Sequence, residues 1–184
     1  NNLLSIFSEE LVNNTISFIH TIPGKIEAEH FFFQKGMELE NTSDEGEGFN
    51  VGSLDNGDYA DYYVDVQLSG TYNVTYRVAA DPSWSSGGQI ELSIYDSNSN
   101  SFTFLQNIII PATEGWQDWE SASKALNLDS GKHQIRLTIL GGPFNLNWFS
   151  FDDSVSVGIP IPGYVQAEDF IYQDGISLEM TEDE

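Results

Sequence analysis

The sequence predicts an all-β fold, a jelly-roll β-sandwich built from two antiparallel sheets. Three observations predict it: apolar and polar residues alternate along many short segments, polar turns separate these segments, and no apolar periodicity of helical length occurs between residues 22 and 153. Alternation with a period of two buries one face of a strand and exposes the other. Eight to ten such strands, joined by short turns, are typical of a sandwich.

The predicted strands follow one another closely along the chain. Near the start, SEELV at 8–12 could form a helical turn, whereas NTISFIH at 14–20 has the composition of a strand. The clearest alternation runs from Tyr72 to Val78 and from His133 to Ile139. Turns rich in Gly, Asp, Asn and Ser separate the segments. The other predicted strands are residues 25–33, 59–67, 88–95, 102–110, 117–124 and 145–152.

Alternation also predicts the side-chain directions in the strand at 145–152. It places Asn145 and Asn147 on one face, and Leu146 and Trp148 on the other. The two asparagines would then share a polar surface, and the two apolar residues would share the core.

A long internal repeat divides the chain. IPGKIEAEHFFFQKGMELENTSDE at 22–45 and IPGYVQAEDFIYQDGISLEMTEDE at 161–184 align without a gap, and 13 of the 24 positions are identical. The offset of 139 residues is the size of a whole domain rather than of a solenoid repeat. We therefore expect residues 1–21 to be the end of a preceding domain or a linker, 22–153 a complete module, 154–160 a linker, and 161–184 the start of a second, truncated module.

Composition limits the classes of partner. The chain has 24 aromatic residues against 6 Lys and Arg, and a formal net charge of −23. Such a charge repels the phosphates of nucleic acids and of anionic membranes, so neither is predicted as a partner. It also disfavours sulfated or carboxylated polymers, and a neutral ligand or a cation fits better. No cysteine is present, which excludes disulfides and thiol chemistry.

No catalytic motif accompanies these features. The sequence has no H-E-x-x-H, Walker A or dinucleotide-binding glycine motif, and its three histidines lack the context of a catalytic triad. With 29 Asp and Glu residues, the carboxylate pair of a glycosidase can be named by chance and carries no weight. We therefore predict that the chain is not an enzyme. A small jelly-roll glycanase or lyase stays an alternative, as does a calcium-stabilised structural or adhesion module without affinity for soluble glycans.

Six segments in order resemble carbohydrate-binding module family 6, and the resemblance covers residues 22–153 nearly end to end. They are IEAEHF, GFNVGSLDNGDYADYYVDV, GTYNVTYRVAA, GWQDWESAS, LDSGKHQIRL and PFNLNWFSFD. The resemblance implies a non-catalytic module that binds a neutral polysaccharide of the β-glucan, xylan or agarose type. It also implies a covalently linked polysaccharide-degrading catalytic domain, which the module targets to its substrate. Because such modules are typically parts of secreted bacterial hydrolases, an extracellular, bacterial location is expected.

The resemblance also indicates which residues bind the sugar. Stacking of a sugar's C–H face on an aromatic ring buries apolar area, and the hydroxyls then need amides or carboxylates. The family pattern implies that Trp116 is the stacking platform and Asn145 the bonding amide. Ser53 stands where many members carry a second aromatic ring, and Trp84, in DPSWSSGG, is a candidate substitute. Trp116 and Trp119 would face opposite ways if both lie in a strand.

Tyr59 is the candidate for a second site. In some relatives an aromatic residue at this position lies on the concave face of a sheet and binds sugar. Core or surface packing of Tyr59, in a strand that also carries Tyr62 and Tyr63, is the alternative interpretation.

Two acidic residues near the first strand suggest a metal site. Glu27 and Glu29 flank Ala28, so in a strand their side chains share one face, and paired hard oxygen ligands suit Ca²⁺. The resemblance implies a structural calcium held by Glu27, Glu29 and Asp152, which would join the first strand to the last. An exposed acidic strand in an acidic protein is the alternative.

Overall fold

The computed structural model describes residues 8–12, 15–46 and 48–153, with side chains from Phe18 onward. The linker at 154–160 and the repeat at 161–184 lie outside these ranges. Among the described residues, no helix is long and apolar enough to cross a membrane. The strands are β1 Ser8–Val12, β2 Thr15–Ile22, β3 Gly24–Glu27, β4 Phe33–Lys35, β5 Glu38–Asn41, β6 Phe49–Leu54, β7 Tyr59–Val66, β8 Gly70–Ala79, β9 Gly87–Asp96, β10 Ser101–Pro111, β11 Glu120–Leu128, β12 Gly131–Ile139 and β13 Phe144–Asp153.

The strands form two sheets, which confirms the predicted β-sandwich. The first sheet has the order β1-β2-β7-β12-β9-β10, with β4 also paired to β7. The second has the order β11-β8-β13-β6-β5, with β3 also paired to β13. The pairs are antiparallel except for β2 and β7, which run parallel. Apart from the consecutive pairs β1–β2, β5–β6 and β9–β10, neighbours in each sheet come from distant parts of the sequence, so the sandwich brings loops from many segments to its ends.

The core between the sheets consists of the alternating apolar residues of both. Its largest fully buried side chains are aromatic: Tyr62, Tyr72, Tyr76, Phe144, Phe149 and Phe151. Phe149 meets Tyr62 edge-on, with ring centroids 4.9 Å apart. The buried Tyr62 hydroxyl donates a hydrogen bond to the Ala28 carbonyl at 2.7 Å, so the ring is buried without an unpaired polar group.

Two sequence predictions about strands are wrong. SEELV forms strand β1 rather than a helical turn, because pairing with β2 supplies backbone hydrogen bonds that an isolated helical turn lacks. The predicted strand at 25–33 is two strands, β3 and β4, which belong to different sheets. The chain turns between them, where the amide of His30 donates to the carbonyl of Glu27 at 3.0 Å. The structure therefore has eleven strands from β3 to β13, where eight to ten were expected.

A β-bulge in β13 reverses the alternation expected there. Leu146 and Trp148 pair with consecutive residues of β8, so Asn147 is the extra residue. Leu146 is buried in the core before the bulge and Phe149 after it, whereas Trp148 is only half-buried. The prediction that Leu146 and Trp148 share a face is therefore wrong, because one added residue exchanges the two faces of a strand.

Residues 15–22 belong to the first sheet. Strand β2 pairs with β7 over four residues, from Ile19 beside Tyr63 to Ile22 beside Val66. The described residues of β1 and β2 belong to the same compact unit as the other strands. This segment, expected to be a linker or the end of another domain, thus contributes a strand to the sandwich.

Candidate functional site

One cleft collects three of the residues that the sequence analysis selected. It has a volume of about 460 Å³. The loop between β10 and β11, the start of β13, and strands β5 and β6 each supply part of its wall. Its lining residues are Glu40, Ser53, Trp116, Gln117, Pro143 and Asn145. The structure therefore places Trp116, Asn145 and Ser53 together although they are far apart in the sequence.

Trp116 lies in an anchored loop, residues 112–119. The amide of Thr113 donates to the carbonyl of Ala80 at 2.8 Å, and the amide of Ala80 donates back to the Thr113 hydroxyl at 2.8 Å. The hydroxyl also donates to the carbonyl of Gly115 at 3.0 Å. These bonds hold the half-buried ring in place before any ligand arrives, which reduces the entropy that binding would cost. Trp119 lies in the same loop and not in a strand. The prediction that Trp116 and Trp119 face opposite ways required both to lie in a strand, so it does not apply.

Asn145 links the loop to the strands. Its amide nitrogen donates to the carbonyl of Trp116 at 3.0 Å and to Oε2 of Glu40 at 3.1 Å. The residue is only 3% exposed. Its Oδ1 accepts no hydrogen bond from the described residues, so it is available to a hydroxyl group in the cleft. Asn145 thus both positions the platform loop and offers an acceptor.

Ser53 enters the cleft from a second bulge. Gly52 and Ser53 together oppose the single residue Asn145, and Ser53 has the left-handed φ of 54°. Its hydroxyl donates to Oε2 of Glu38 at 3.2 Å. The wall here is polar and small, so Trp116 is the one aromatic ring among the lining residues.

Glu40 and Gln117 complete the polar wall and were not predicted. Asn145 and Glu40 are 105 residues apart, and only the pairing of β5, β6 and β13 brings them together. Glu40 lies across Gly52, where a Cβ atom would come within 2.5 Å of the carboxylate. Gln117 directly follows Trp116, and that proximity was the signal that could have identified it. Pro143, the third unpredicted residue, also lines the cleft.

A partly buried ion pair supports the cleft from behind. The guanidinium of Arg77 donates to both carboxylate oxygens of Asp44, at 2.9 and 2.8 Å, and Asn147 donates to the same carboxylate at 2.9 Å. The Arg77 hydrogen bonds hold the pKa of Asp44 below its usual range. Ser43 directly precedes Asp44 in the chain, and its backbone amide donates to Oε1 of Gln117 at 2.7 Å. The ion pair therefore anchors the loop that orients Gln117.

Trp84 lies outside the cleft. It sits in the turn after β8, where its amide donates to the carbonyl of Asp81 at 3.0 Å. Its side chain is 77% exposed, and it is not among the residues that line the cleft. Trp84 therefore does not replace the ring that is missing at Ser53 in this conformation.

Tyr59 has its ring covered by a cation. The guanidinium carbon of Arg136 lies 3.8 Å from the ring centroid of Tyr59 and 4.1 Å from that of Phe102. Arg136 is fixed by two hydrogen bonds to Asp61, at 2.6 and 2.8 Å. Tyr59 could stack on a sugar with this face only if Arg136 moved away, so the structure favours the packing interpretation.

The acidic residues selected for calcium are only partly brought together. No hydrogen-bond partner among the described residues reaches the buried Oε2 of Glu29, and burial, together with the nearby Glu27, raises the pKa of Glu29. Glu27 contacts Lys25 at 2.6 Å. Across the sheet, Glu27 pairs with Trp148, so Asp152 lies four residues farther along β13, roughly 13 Å away. The register thus separates Asp152 from the pair, and the described residues contain no cluster of three or more metal-binding side chains.

The family comparison assigns most of the described chain. Residues 27–153 match the family model for carbohydrate binding module (family 6). The chain is similar to the module CBM6cm-2 of Cellvibrio mixtus lichenase 5A, solved with cellotriose, at 34% identity and a TM-score of 0.61, covering 72% of this chain and 98% of that one. A β-1,3-glucan-binding CBM6 from Bacillus halodurans matches at 29% identity and a TM-score of 0.65, covering 73% and 98%.

A longer curated protein also contains a similar segment. The Clotting factor G alpha subunit of Tachypleus tridentatus is 32% identical over 164 residues, which are 86% of this chain and 23% of that protein. The chain thus spans about a quarter of the length of this relative.

Proposed function

The chain belongs to carbohydrate-binding module family 6, and we propose that the cleft at Trp116 binds a neutral β-linked glucan. Its function is carbohydrate binding. The observation that carries the proposal is the convergence of a flat ring, an amide oxygen and a carboxylate, from Trp116, Asn145 and Glu40, in one cleft. Two similar modules bind cellotriose and β-1,3-glucan, and a third was solved with xylose. We therefore propose a β-glucan first and keep xylan as the alternative that the experiment below separates from it.

The cleft provides what an uncharged sugar ring needs. The C–H face of one ring stacks on Trp116, where dispersion and loss of water from apolar surface both contribute. The ring hydroxyls donate to Oδ1 of Asn145 and to Glu40. The small Ser53 leaves the opposite side of the ring without an aromatic partner. We expect this arrangement to bind a chain end or a short stretch of polymer weakly, with affinity in the micromolar to millimolar range.

The lining residues favour binding over hydrolysis. A glycosidase needs two carboxyl groups across the scissile bond, about 5–9.5 Å apart. Of the six lining residues, only Glu40 is acidic, and it already accepts a hydrogen bond from Asn145. In our proposal the module is the non-catalytic part of a secreted bacterial enzyme, which it holds near its polysaccharide substrate, with a second module beginning at residue 161.

A structural calcium is part of the proposal. Glu27 and Glu29 fit such an ion. The buried Oε2 of Glu29 has no hydrogen-bond partner among the described residues, and carboxylate oxygens are ligands that Ca²⁺ prefers. Bound there, Ca²⁺ would neutralise two neighbouring carboxylates where the chain turns out of β3. Asp152 is the least favoured of the three ligands, because the pairing of β3 with β13 places it four residues beyond the partner of Glu27.

Calorimetry with defined oligosaccharides tests the function. We expect the 184-residue chain to bind cello- and laminari-oligosaccharides more tightly than xylo- or agaro-oligosaccharides. If the chain binds xylo- or agaro-oligosaccharides more tightly, its ligand is xylan or agarose rather than a β-glucan. A folded protein with no affinity for any soluble glycan would contradict the proposal and support a structural or adhesion role.

A further inference from the structure

The cleft at Trp116 holds a carboxylate but no positively charged side chain. Of its six lining residues, Glu40 is the one that carries a charge at neutral pH. None of the six Lys and Arg residues of the chain is among them. The cleft therefore discriminates between ligands by charge, because a fixed negative charge attracts cations and repels anions.

All six basic residues lie elsewhere. Three form ion pairs with other carboxylates, one donates a hydrogen bond to a backbone carbonyl of β10, and two lie in strands of the first sheet. In that order they are Lys25, Arg77 and Arg136, then Lys124, then Lys35 and Lys132. Glu40 thus has no basic partner among the described residues.

The carboxylate of Glu40 is held in place by two amides. Asn145 and Asn50 donate to its Oε2 at 3.1 and 3.4 Å, and Asn50 is fully buried. Oε1 of Glu40 accepts no hydrogen bond from the described residues. A side chain that is already fixed loses little entropy on binding, so this second oxygen is prepared for a donor in the cleft.

Two further carboxylates lie beside the platform. Asp118 folds back on Gly115, the residue before Trp116, where a Cβ atom would come within 2.5 Å of Oδ2 of Asp118. Glu38 accepts a hydrogen bond from Ser53, which lines the cleft. Both acidic residues are exposed, so each adds a weak, salt-screened contribution to the negative field of the cleft.

A sugar ring that carries an ammonium group fits these surroundings better than a ring with hydroxyls alone. An ammonium donates charge-assisted hydrogen bonds to a carboxylate, and the face of an indole ring attracts it as well. Asn145, only 3% exposed, offers its Oδ1 as a neutral acceptor beside the carboxylate. The C–H face of such a sugar still stacks on Trp116. A sugar acid would meet Glu40 as a like charge, which disfavours it.

We propose that the cleft prefers amino sugars, and that it binds a β-linked glucosamine residue stacked on Trp116 with its protonated amine on Glu40. The inference rests on the carbohydrate-binding function proposed above and extends the ligand class of the same cleft: neutral β-glucans bind, and their amino-substituted counterparts bind more tightly. Glu40 then determines specificity, whereas Trp116 determines whether any glycan binds.

The test compares three β-1,4-linked trimers that differ only in the group at carbon 2 of each ring. Cellotriose carries hydroxyls, the glucosamine trimer carries ammonium groups, and the N-acetylglucosamine trimer carries neutral amides. Nuclear magnetic resonance titrations of the nitrogen-15-labelled, 184-residue chain measure the three affinities at the amides of Trp116 and Asn145, in mildly acidic, low-salt buffer that keeps the amines protonated.

We expect the glucosamine trimer to bind about three- to tenfold more tightly than the other two trimers, because it alone adds a charged hydrogen bond. About 1 M salt should remove most of this preference, since it screens the charges.

Three variants locate the preference. Glu40→Gln keeps the shape of the side chain and removes its charge, so the affinity ratio of the glucosamine trimer to cellotriose should fall to about one. Asp129→Asn, the matched control, removes one negative charge from an exposed residue that does not line the cleft, so the ratio should stay unchanged. Trp116→Ala should weaken both ligands at least about tenfold, because both need the platform.

Several outcomes would overturn the preference. An N-acetylglucosamine trimer that binds as tightly as the glucosamine trimer would assign it to the size of the substituent rather than to charge. Glucosamine binding that survives Glu40→Gln and Trp116→Ala would assign it to the acidic surface as a whole. If cellotriose binds in the cleft and the glucosamine trimer binds no more tightly, the preference is excluded and the proposed function stands. If no trimer binds to the folded chain, the proposed function itself fails.

Discussion

At the residue scale, Trp116 and Trp84 show that position matters more than residue type. Both are tryptophans in loops between strands. The loop of Trp116 is tied to Ala80 through Thr113, and the ring is half-buried in the cleft wall. Trp84 is mostly exposed and lies outside the cleft. An aromatic ring binds sugar well when its surroundings fix it and supply polar partners.

This difference gives the first prediction. Trp116→Ala should lower the glucan affinity by about 2–4 kcal/mol, because a central aromatic anchor is lost. Trp84→Ala, the matched control, should leave the affinity nearly unchanged. Isothermal titration calorimetry measures both, with circular dichroism to show that each variant is folded. An equal loss in the two variants would mean that Trp84 also contacts the ligand.

Asn145 carries the second prediction. Asn145→Ala should weaken binding by about 1–3 kcal/mol, because the acceptor for a sugar hydroxyl disappears and Glu40 loses a donor. Asn127→Ala removes an exposed asparagine of β11 that does not line the cleft, so it should leave the affinity unchanged. Binding that survives Asn145→Ala at full strength would exclude this residue from the site.

At the element scale, the loop between β5 and β6 depends on one ion pair. Arg77 of β8 and Asn147 of β13 both bind Asp44, and Ser43 beside it orients Gln117. The position of this loop, and with it that of Gln117 in the cleft, therefore depends on the charged carboxylate of Asp44.

The third prediction concerns pH. The pKa of Asp44 is lowered in the folded state, chiefly by Arg77, so its stabilisation is fully present above the unfolded pKa of about 3.9. This stabilisation is lost as the pH falls through the folded pKa, below that value. We expect the difference in unfolding free energy between the unmodified chain and Asp44→Asn to shrink below about pH 4. Denaturant titrations over pH 2–7 measure it, with the exposed Asp129→Asn as control. A difference that is constant with pH would contradict the role of the ion pair.

Strand β3 and the turn after it carry the fourth prediction. If Glu27 and Glu29 hold calcium, excess Ca²⁺ should raise the melting temperature relative to EDTA, because the ion binds only the folded state. Glu29→Gln should abolish this response. Asp152→Asn should keep it, since the register separates Asp152 from the pair. Loss of the response in Asp152→Asn would show that Asp152 is a ligand after all, and identical melting curves of the unmodified chain would exclude the site.

At the scale of the whole molecule, the repeat suggests that two weak modules act together. A single aromatic platform limits the affinity of one module, and a second copy makes the next binding event intramolecular. The short linker predicted at 154–160 would keep two modules close on one polymer strand.

The fifth prediction uses a tandem protein in which residues 154–160 join two copies of residues 1–153. Its apparent affinity for long β-glucan should exceed that of the 184-residue chain by ~10²–10⁴-fold. For a short oligosaccharide the two proteins should bind alike per site, because one short ligand cannot reach two modules. Sedimentation with insoluble glucan and calorimetry with cellotriose give the two comparisons. Equal affinity for the polymer would mean that the repeat serves another purpose.

The sequence by itself determined the sheet content, and it selected three residues that the structure places in one cleft. Alternation identified the long strands because burial of one face depends only on local order, and Trp116 and Asn145 could be found because their surrounding segments match a family pattern. Pro143, which lines the same cleft, begins the matching segment PFNLNWFSFD but was not selected, whereas Glu40 lies outside the matching segments. Glu40 could not be selected among 29 acids without knowing that β5 and β13 lie near each other.

Only the tertiary structure decided the details that depend on pairing. The bulge at Asn147 turns Trp148 out of the core, and a bulge exists only relative to a partner strand. Arg136 covers Tyr59 because β12 lies beside β7. These contacts join residues tens of positions apart. Local sequence sets which residues can face out of a sheet, whereas strand order and register set which of them meet.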